Sequence, residues 1–124
     1  MKIDFMETMF GLKTSTIEKI NKIFAAEPAV IQVILYGSRA KGNYRNGSDI
    51  DLVIQGEAMT LSRLFKIENE LDDLLLPYRI DLSLLHTICD QDLLDHINRV
   101  GILFYEKASI HESIEGNMMK DAGD

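Results

Sequence analysis

The stretch "AVIQVILYGSRAKGNYRNGSDIDLVI", Ala29 to Ile54, decides the fold. Its opening, Ala29–Tyr36, is β-branched and almost continuously apolar, the pattern of a strand buried on both faces. Gly37-Ser38 breaks that run, Ser38–Gly42 has room for a short helical turn, and "NYRNG" is a loop by its Asn and Gly content. A second strand is expected over Ser48–Gln55, with Asp49, Asp51 and Val53 on one face and Ile50, Leu52 and Ile54 on the other. The link from Tyr36 to Ser48 is too brief for a helical crossover, so the two strands should run antiparallel.

Upstream, "STIEKINKIFAAE" sets Ser15 and Glu18 at capping-box spacing and puts Ile17, Ile20 and Phe24 on one helical face, with Glu27-Pro28 ending the helix. The first ten residues show no clear period. Downstream, "TLSRLFKIENELDDLLL" predicts an amphipathic helix presenting Leu61, Leu64, Phe65, Glu68, Leu71 and Leu75, closed by Pro77. Tyr78–Leu85 alternates, with Arg79, Asp81 and Ser83 opposite Ile80, Leu82 and Leu84. "DQDLLDHINRVG" predicts a helix capped by Asp90 and stopped by Gly101, and "ILFYE" a last short strand. The resulting class is α/β, a small mixed sheet with helices packed on one side. Residues 1–107 form a single domain, followed by a polar, loose tail at 108–124.

Twenty acidic residues against thirteen basic ones give a net charge of −7, which argues against a nucleic-acid-binding module. No apolar run approaches the ~20 residues of a membrane span, and "MKIDFMETMF" lacks a signal-peptide core. Cys89 is the only cysteine, so no internal disulfide forms, which suits a reducing cytoplasm; it is expected to be a packed core thiol.

Carboxylates entering a buried strand are costly unless something compensates for the charge. Asp49 and Asp51, at i and i+2, project from one face and can reach one Mg²⁺, and Asp81 from another strand can complete a two-metal site. Gly37 permits close backbone approach to a phosphate, the Ser38 hydroxyl adds a hydrogen bond, and Arg39 or Lys41 can offset triphosphate charge. Surface salt bridges are the competing role for those two cations. The turn is not a Walker A loop, since Asn43 stands where the lysine after the second glycine belongs. Taken singly, Gly37-Ser38 is an ordinary strand-ending turn and Asp49 with Asp51 a solvated strand entry; their coincidence with Asp81 favours a nucleotide–metal site. His86, His96 and His111 have no metal-ligand spacing and read as polar edge or tail positions, and Tyr36 as a packed aromatic.

"GSRAKG" followed by "SDIDL" resembles the signature of the DNA polymerase β-type nucleotidyltransferases, Gly-Ser then Asp-x-Asp, with a third carboxylate in a later strand. "RIDL", holding Asp81, fits that third position, and the resemblance runs from about Ala29 to Glu106. The length and the ending "HINRVGILFYEK" resemble the minimal nucleotidyltransferases that partner HEPN-domain proteins. The resemblance implies that Gly37 and Ser38 bind the nucleotide phosphates, that Asp49 and Asp51 hold two Mg²⁺ ions, and that Asp81 is the third ligand and a candidate base. Lys41 stands where many members have arginine, which would replace a forked phosphate contact with a single one. It further implies a cytoplasmic antitoxin that moves AMP from ATP onto a tyrosine of a HEPN ribonuclease toxin, with no direct nucleic-acid or membrane partner. Two alternatives stand beside it: a module that blocks the toxin by occlusion, and a small-molecule nucleotidyltransferase. The second is disfavoured because the chain has no room for an acceptor-binding domain.

Overall fold

The computed structural model describes residues 8–107; the expected tail at 108–124, with His111, lies outside the described residues. Two short strands come first, β1 (Thr8–Met9) and β2 (Leu12–Lys13), paired antiparallel. Phe10 and Gly11 join them at φ 58° and 76°, a two-residue loop whose left-handed backbone suits the twist of a hairpin. Strands of two residues are too short to leave a periodic trace in sequence.

Helix α1 (Thr14–Ala25) follows directly, burying Ile20 and Phe24. Its N-cap position is Lys13 with no side-chain capping bond, so Ser15 and Glu18 lie inside the helix and the expected capping box does not form. Then come β3 (Gln32–Tyr36), the short α2 (Gly37–Lys41), β4 (Ile50–Gln55), α3 (Leu61–Asp72), β5 (Ile80–Leu84), a 3-10 turn at Leu85–Thr87, α4 (Gln91–Val100) and β6 (Ile102–Glu106). The sheet order is β5-β4-β3-β6. β3 is antiparallel to both β4 and β6, as the short Tyr36–Ser48 link requires, and α3 supplies the crossover between parallel β4 and β5. Among the described residues no helix is long and apolar enough to cross a membrane.

The main core lies between the sheet and the pair α1 and α3, where Ile20, Phe24, Leu64, Ile67 and Leu71 pack on Val33, Leu35, Ile50, Leu52 and Ile54. Helix α4 departs from the expected one-sided arrangement: its Ile97 packs with Tyr36 and Val53, whose side chains point to the opposite face of β3 and β4. The α3 stripe also differs. Leu64, Ile67 and Leu71 are buried, whereas Leu61, Phe65 and Leu75 face solvent. Docking against α1 and the sheet, not the helix's own apolar balance, sets that rotation.

Side chains cap the starts of α3 and α4. Thr60 Oγ1 accepts from the Arg63 N–H at 3.2 Å, and Asp90 Oδ1 accepts from the amides of Asp92 and Leu93 at 3.0 and 3.4 Å. Cys89, just before Asp90, is exposed and not the expected core thiol, because the 3-10 turn and the cap hold this segment on the surface.

Candidate active site

Strand register builds a polar row across the sheet. Tyr36 of β3 pairs with Asp51 of β4, and Asp51 pairs with Asp81 of β5. Directly paired residues share a face, so the two carboxylates stand side by side with the Tyr36 ring next to them. The adjoining row, Ile34–Val53–Ser83, runs under Ile97 of α4. Asp51 is half-buried against this small apolar patch, while Asp81 on the edge strand and Asp49, one residue ahead of β4, are exposed.

Gly37 closes the row from the other side. Its φ is 75°, a backbone conformation that L side chains rarely adopt, and a Cβ built there would overlap Oδ2 of Asp51, with Cγ of Asp51 at 3.1 Å. The position needs glycine twice over, for its φ and for the carboxylate lying against it. Ser38, half-buried, continues into α2, and Lys41 is exposed at the far end of that helix.

The charges are unbalanced. Burial, then repulsion from Asp81 and Asp49, raises the Asp51 carboxyl above its usual value near 3.8, against smaller opposing effects of His96 and Arg79. Burial also raises the Tyr36 phenol, reinforced by Asp81 and opposed by a hydrogen bond to Ser83. Tyr36 in turn meets His96 of α4 edge-on, with ring centroids 6.1 Å apart. Among the described residues no three His, Cys, Asp or Glu side chains converge closely enough to hold a metal ion as they stand. The nearest to such a set is the in-register pair Asp51–Asp81 with exposed Asp49 beside it.

Arg39 lies elsewhere than expected. It is only 2% exposed, and its guanidinium donates to the carbonyls of Phe10 at 2.8 Å, Asn46 at 3.3 Å and Ser48 at 2.9 and 3.2 Å. The same group stacks between the rings of Tyr44 and Tyr78, at 5.2 and 4.9 Å from their centroids. With its donors turned inward it is not presented to a phosphate. It ties α2 to the β1–β2 loop and to Ser48, the residue before Asp49. Tyr36 is the packed aromatic that the sequence suggests, but its nearness, and that of His96, to the carboxylates depends on strand register and on α4 crossing that face.

A groove of about 360 Å³ lies between α3 and the start of β5, lined by Glu68, Asp72, Tyr78 and Arg79 among others, and it reaches the segment that leads into Asp81. The register and the Gly37 contact, rather than concavity, locate the site.

Residues 18–110 match the family model described as polymerase beta, nucleotidyltransferase. The chain belongs to that family. The nucleotidyltransferase domain accounts for most of its length, and no curated protein matches the chain as a relative. Solved structures are similar in fold. One is a chain of a toxin–antitoxin complex with AMP-PNP, at 18% identity and TM-score 0.61, with 86% of each chain covered. A second is from the MntA–HepT toxin–antitoxin complex, at 16% identity and TM-score 0.57, covering 90% of this chain and 87% of the other. A third comes from the tri-AMPylated Shewanella oneidensis HEPN toxin in complex with its MNT antitoxin, at 16% identity and TM-score 0.57, covering 89% and 86%. At such identities the likeness is one of fold.

Proposed function

We propose that this nucleotidyltransferase moves AMP from ATP onto a tyrosine hydroxyl of a HEPN ribonuclease toxin and acts as that toxin's antitoxin. The observation that carries the reading is the paired row Asp51–Asp81, with the Asp51 carboxylate set against Gly37. Family membership supports nucleotidyl transfer, and the fold neighbours, which include an AMP-PNP complex and an AMPylated toxin, support the donor and the acceptor.

The residues present fit Mg²⁺: the donors are carboxylate oxygens, and burial and mutual repulsion at Asp51 call for a cation. Asp49, Asp51 and Asp81 would hold it. Bound there, two Mg²⁺ ions would neutralise charge on the attacking and leaving oxygens. Gly37 leaves the backbone open to the phosphates, and the Ser38 hydroxyl donates to a phosphate oxygen. Asp81, exposed on the edge strand, takes the proton of the acceptor hydroxyl. The new bond joins that oxygen to the α-phosphorus, the bond to the bridging oxygen breaks, and pyrophosphate leaves. An adenylyl group on the toxin adds negative charge and bulk near a surface built for RNA phosphates, which opposes RNA binding. A reaction that consumes ATP suits the cytoplasm.

Intact-mass analysis of the co-expressed HEPN protein, after incubation with this chain, ATP and Mg²⁺, tests the reading. A mass gain of whole adenylyl groups with wild type and none with Asp49→Asn/Asp51→Asn supports it. Tight co-purification without a mass change would replace it with inhibition by occlusion.

A further inference from the structure

With Arg39 committed to carbonyls, any side-chain cation that grips the triphosphate beside the Mg²⁺ must be another residue. The elements around the carboxylates carry several cationic or titratable groups, among them Lys41 at the end of α2, Arg45 in the following loop, Arg79 ahead of β5, His86 in the 3-10 turn, and His96 and Arg99 on α4. Arg79 is distinguished by geometry. Its carbonyl accepts from the Ile50 N–H at 2.9 Å, the bond that opens the β4–β5 ladder at the Ile50–Ile80 pair, so Arg79 stands directly ahead of β5 and in line with it. Alternation along the strand puts its side chain on the face that carries Asp81, two residues on. The side chain is exposed, and the ion pair found among the described residues joins Arg63 to Glu27, leaving Arg79 without a carboxylate partner. His96 is held edge-on against Tyr36 and is less free to follow a ligand.

We propose that Arg79 is the phosphate-binding cation of this active site, gripping the triphosphate of the incoming nucleotide with the forked contact that Arg39 does not supply. The proposal rests on the nucleotidyl-transfer reading and names a residue of its substrate site. Two further points agree with it. His96 and then Arg79 draw the Asp51 carboxyl down against burial and the neighbouring aspartates, which places the Arg79 charge within reach of the carboxylates. A guanidinium also suits paired phosphate oxygens better than the ammonium of Lys41.

The test is calorimetric binding of a non-hydrolysable ATP analogue in Mg²⁺, with adenosine as the ligand lacking phosphates. Arg79→Ala should weaken the analogue on the order of 10- to 100-fold and leave adenosine unchanged. Arg79→Lys should recover part of the loss, and Lys41→Ala should cost less than about fivefold. Arg79→Gln, which keeps most of the side chain's length without its charge, repeats the test should the alanine variant be unstable. Unchanged analogue binding by Arg79→Ala, or an equal loss for adenosine, overturns the assignment while wild-type binding keeps the enzyme reading intact. If wild type itself binds no analogue, the nucleotidyl-transfer reading falls and the Arg79 assignment falls with it.

Discussion

Toward α1 and α3 the central strands present Val33, Leu35, Ile50, Leu52 and Ile54, all fully buried in one continuous core. Toward α4 the same strands present Tyr36, Val53 and the carboxylate of Asp51, with Asp81 beside it. Leu52 and Asp51 are neighbours in sequence and stand on opposite sides of the sheet. The first face holds the molecule together, and the second tolerates charge repulsion that a stability optimum would remove. Stability and chemistry are thus separated by a single step along β4, and substitutions on the two faces should fail in different ways.

The sharpest test of that division is Leu52→Ala, which should cost about 2–5 kcal/mol in denaturant unfolding and leave transfer per folded molecule nearly unchanged. A large loss of turnover in the folded fraction would show that the faces are coupled. Asp51→Asn should do the reverse. Transfer should fall at least about 100-fold by the same intact-mass readout, while metal-free protein at neutral pH melts higher than wild type. The sign follows from the raised Asp51 carboxyl, which holds its proton more tightly in the fold than in the unfolded chain. Its contribution favours the fold below the unfolded value near 3.8 and is lost as pH rises through the raised value. The stability gap between variant and wild type should therefore open over that window and stay flat above it.

Gly37→Ala belongs to both faces' accounts. Its positive φ and the overlap with Asp51 should cost about 1–3 kcal/mol and displace the carboxylate, so melting temperature and transfer should drop together. The smallest effect is expected far from the site, at Glu27, whose Oε2 accepts from the Ala29 N–H at 2.9 Å and from Arg63 at 2.6 Å. The Ala29 bond foremost holds its carboxyl below the usual 4.5. Glu27→Ala should cost about 1 kcal/mol at neutral pH, a difference that fades in acid titration as pH falls through the folded value.

The elements of the sheet were legible because their signals are local: β-branched runs, alternation at 50–55 and 80–84, and the Asp90 and Gly101 boundaries. The aspartates on one strand face were legible for the same reason. What sequence did not carry is set by distant partners. The rotation of α3 that buries Ile67 and exposes Phe65 depends on α1 and the sheet, and the second apolar patch depends on α4 crossing the other face. Arg39 is the clearest case. Its place in "GSRAKG" suits an outward phosphate contact, but the acceptors that draw it inward belong to residues 10, 46 and 48, and the stacking rings to Tyr44 and Tyr78.

That inward arginine has a consequence for the conditions the molecule withstands. Arg63 and Glu27 form a joint with a titratable half, and acid releases it. The Arg39 joint joins a guanidinium that stays charged at any ordinary pH to carbonyl oxygens that take up no proton. Acid that neutralises the aspartates would leave the loop before Asp49 still clamped to α2, so the site would lose its charge before it lost its shape.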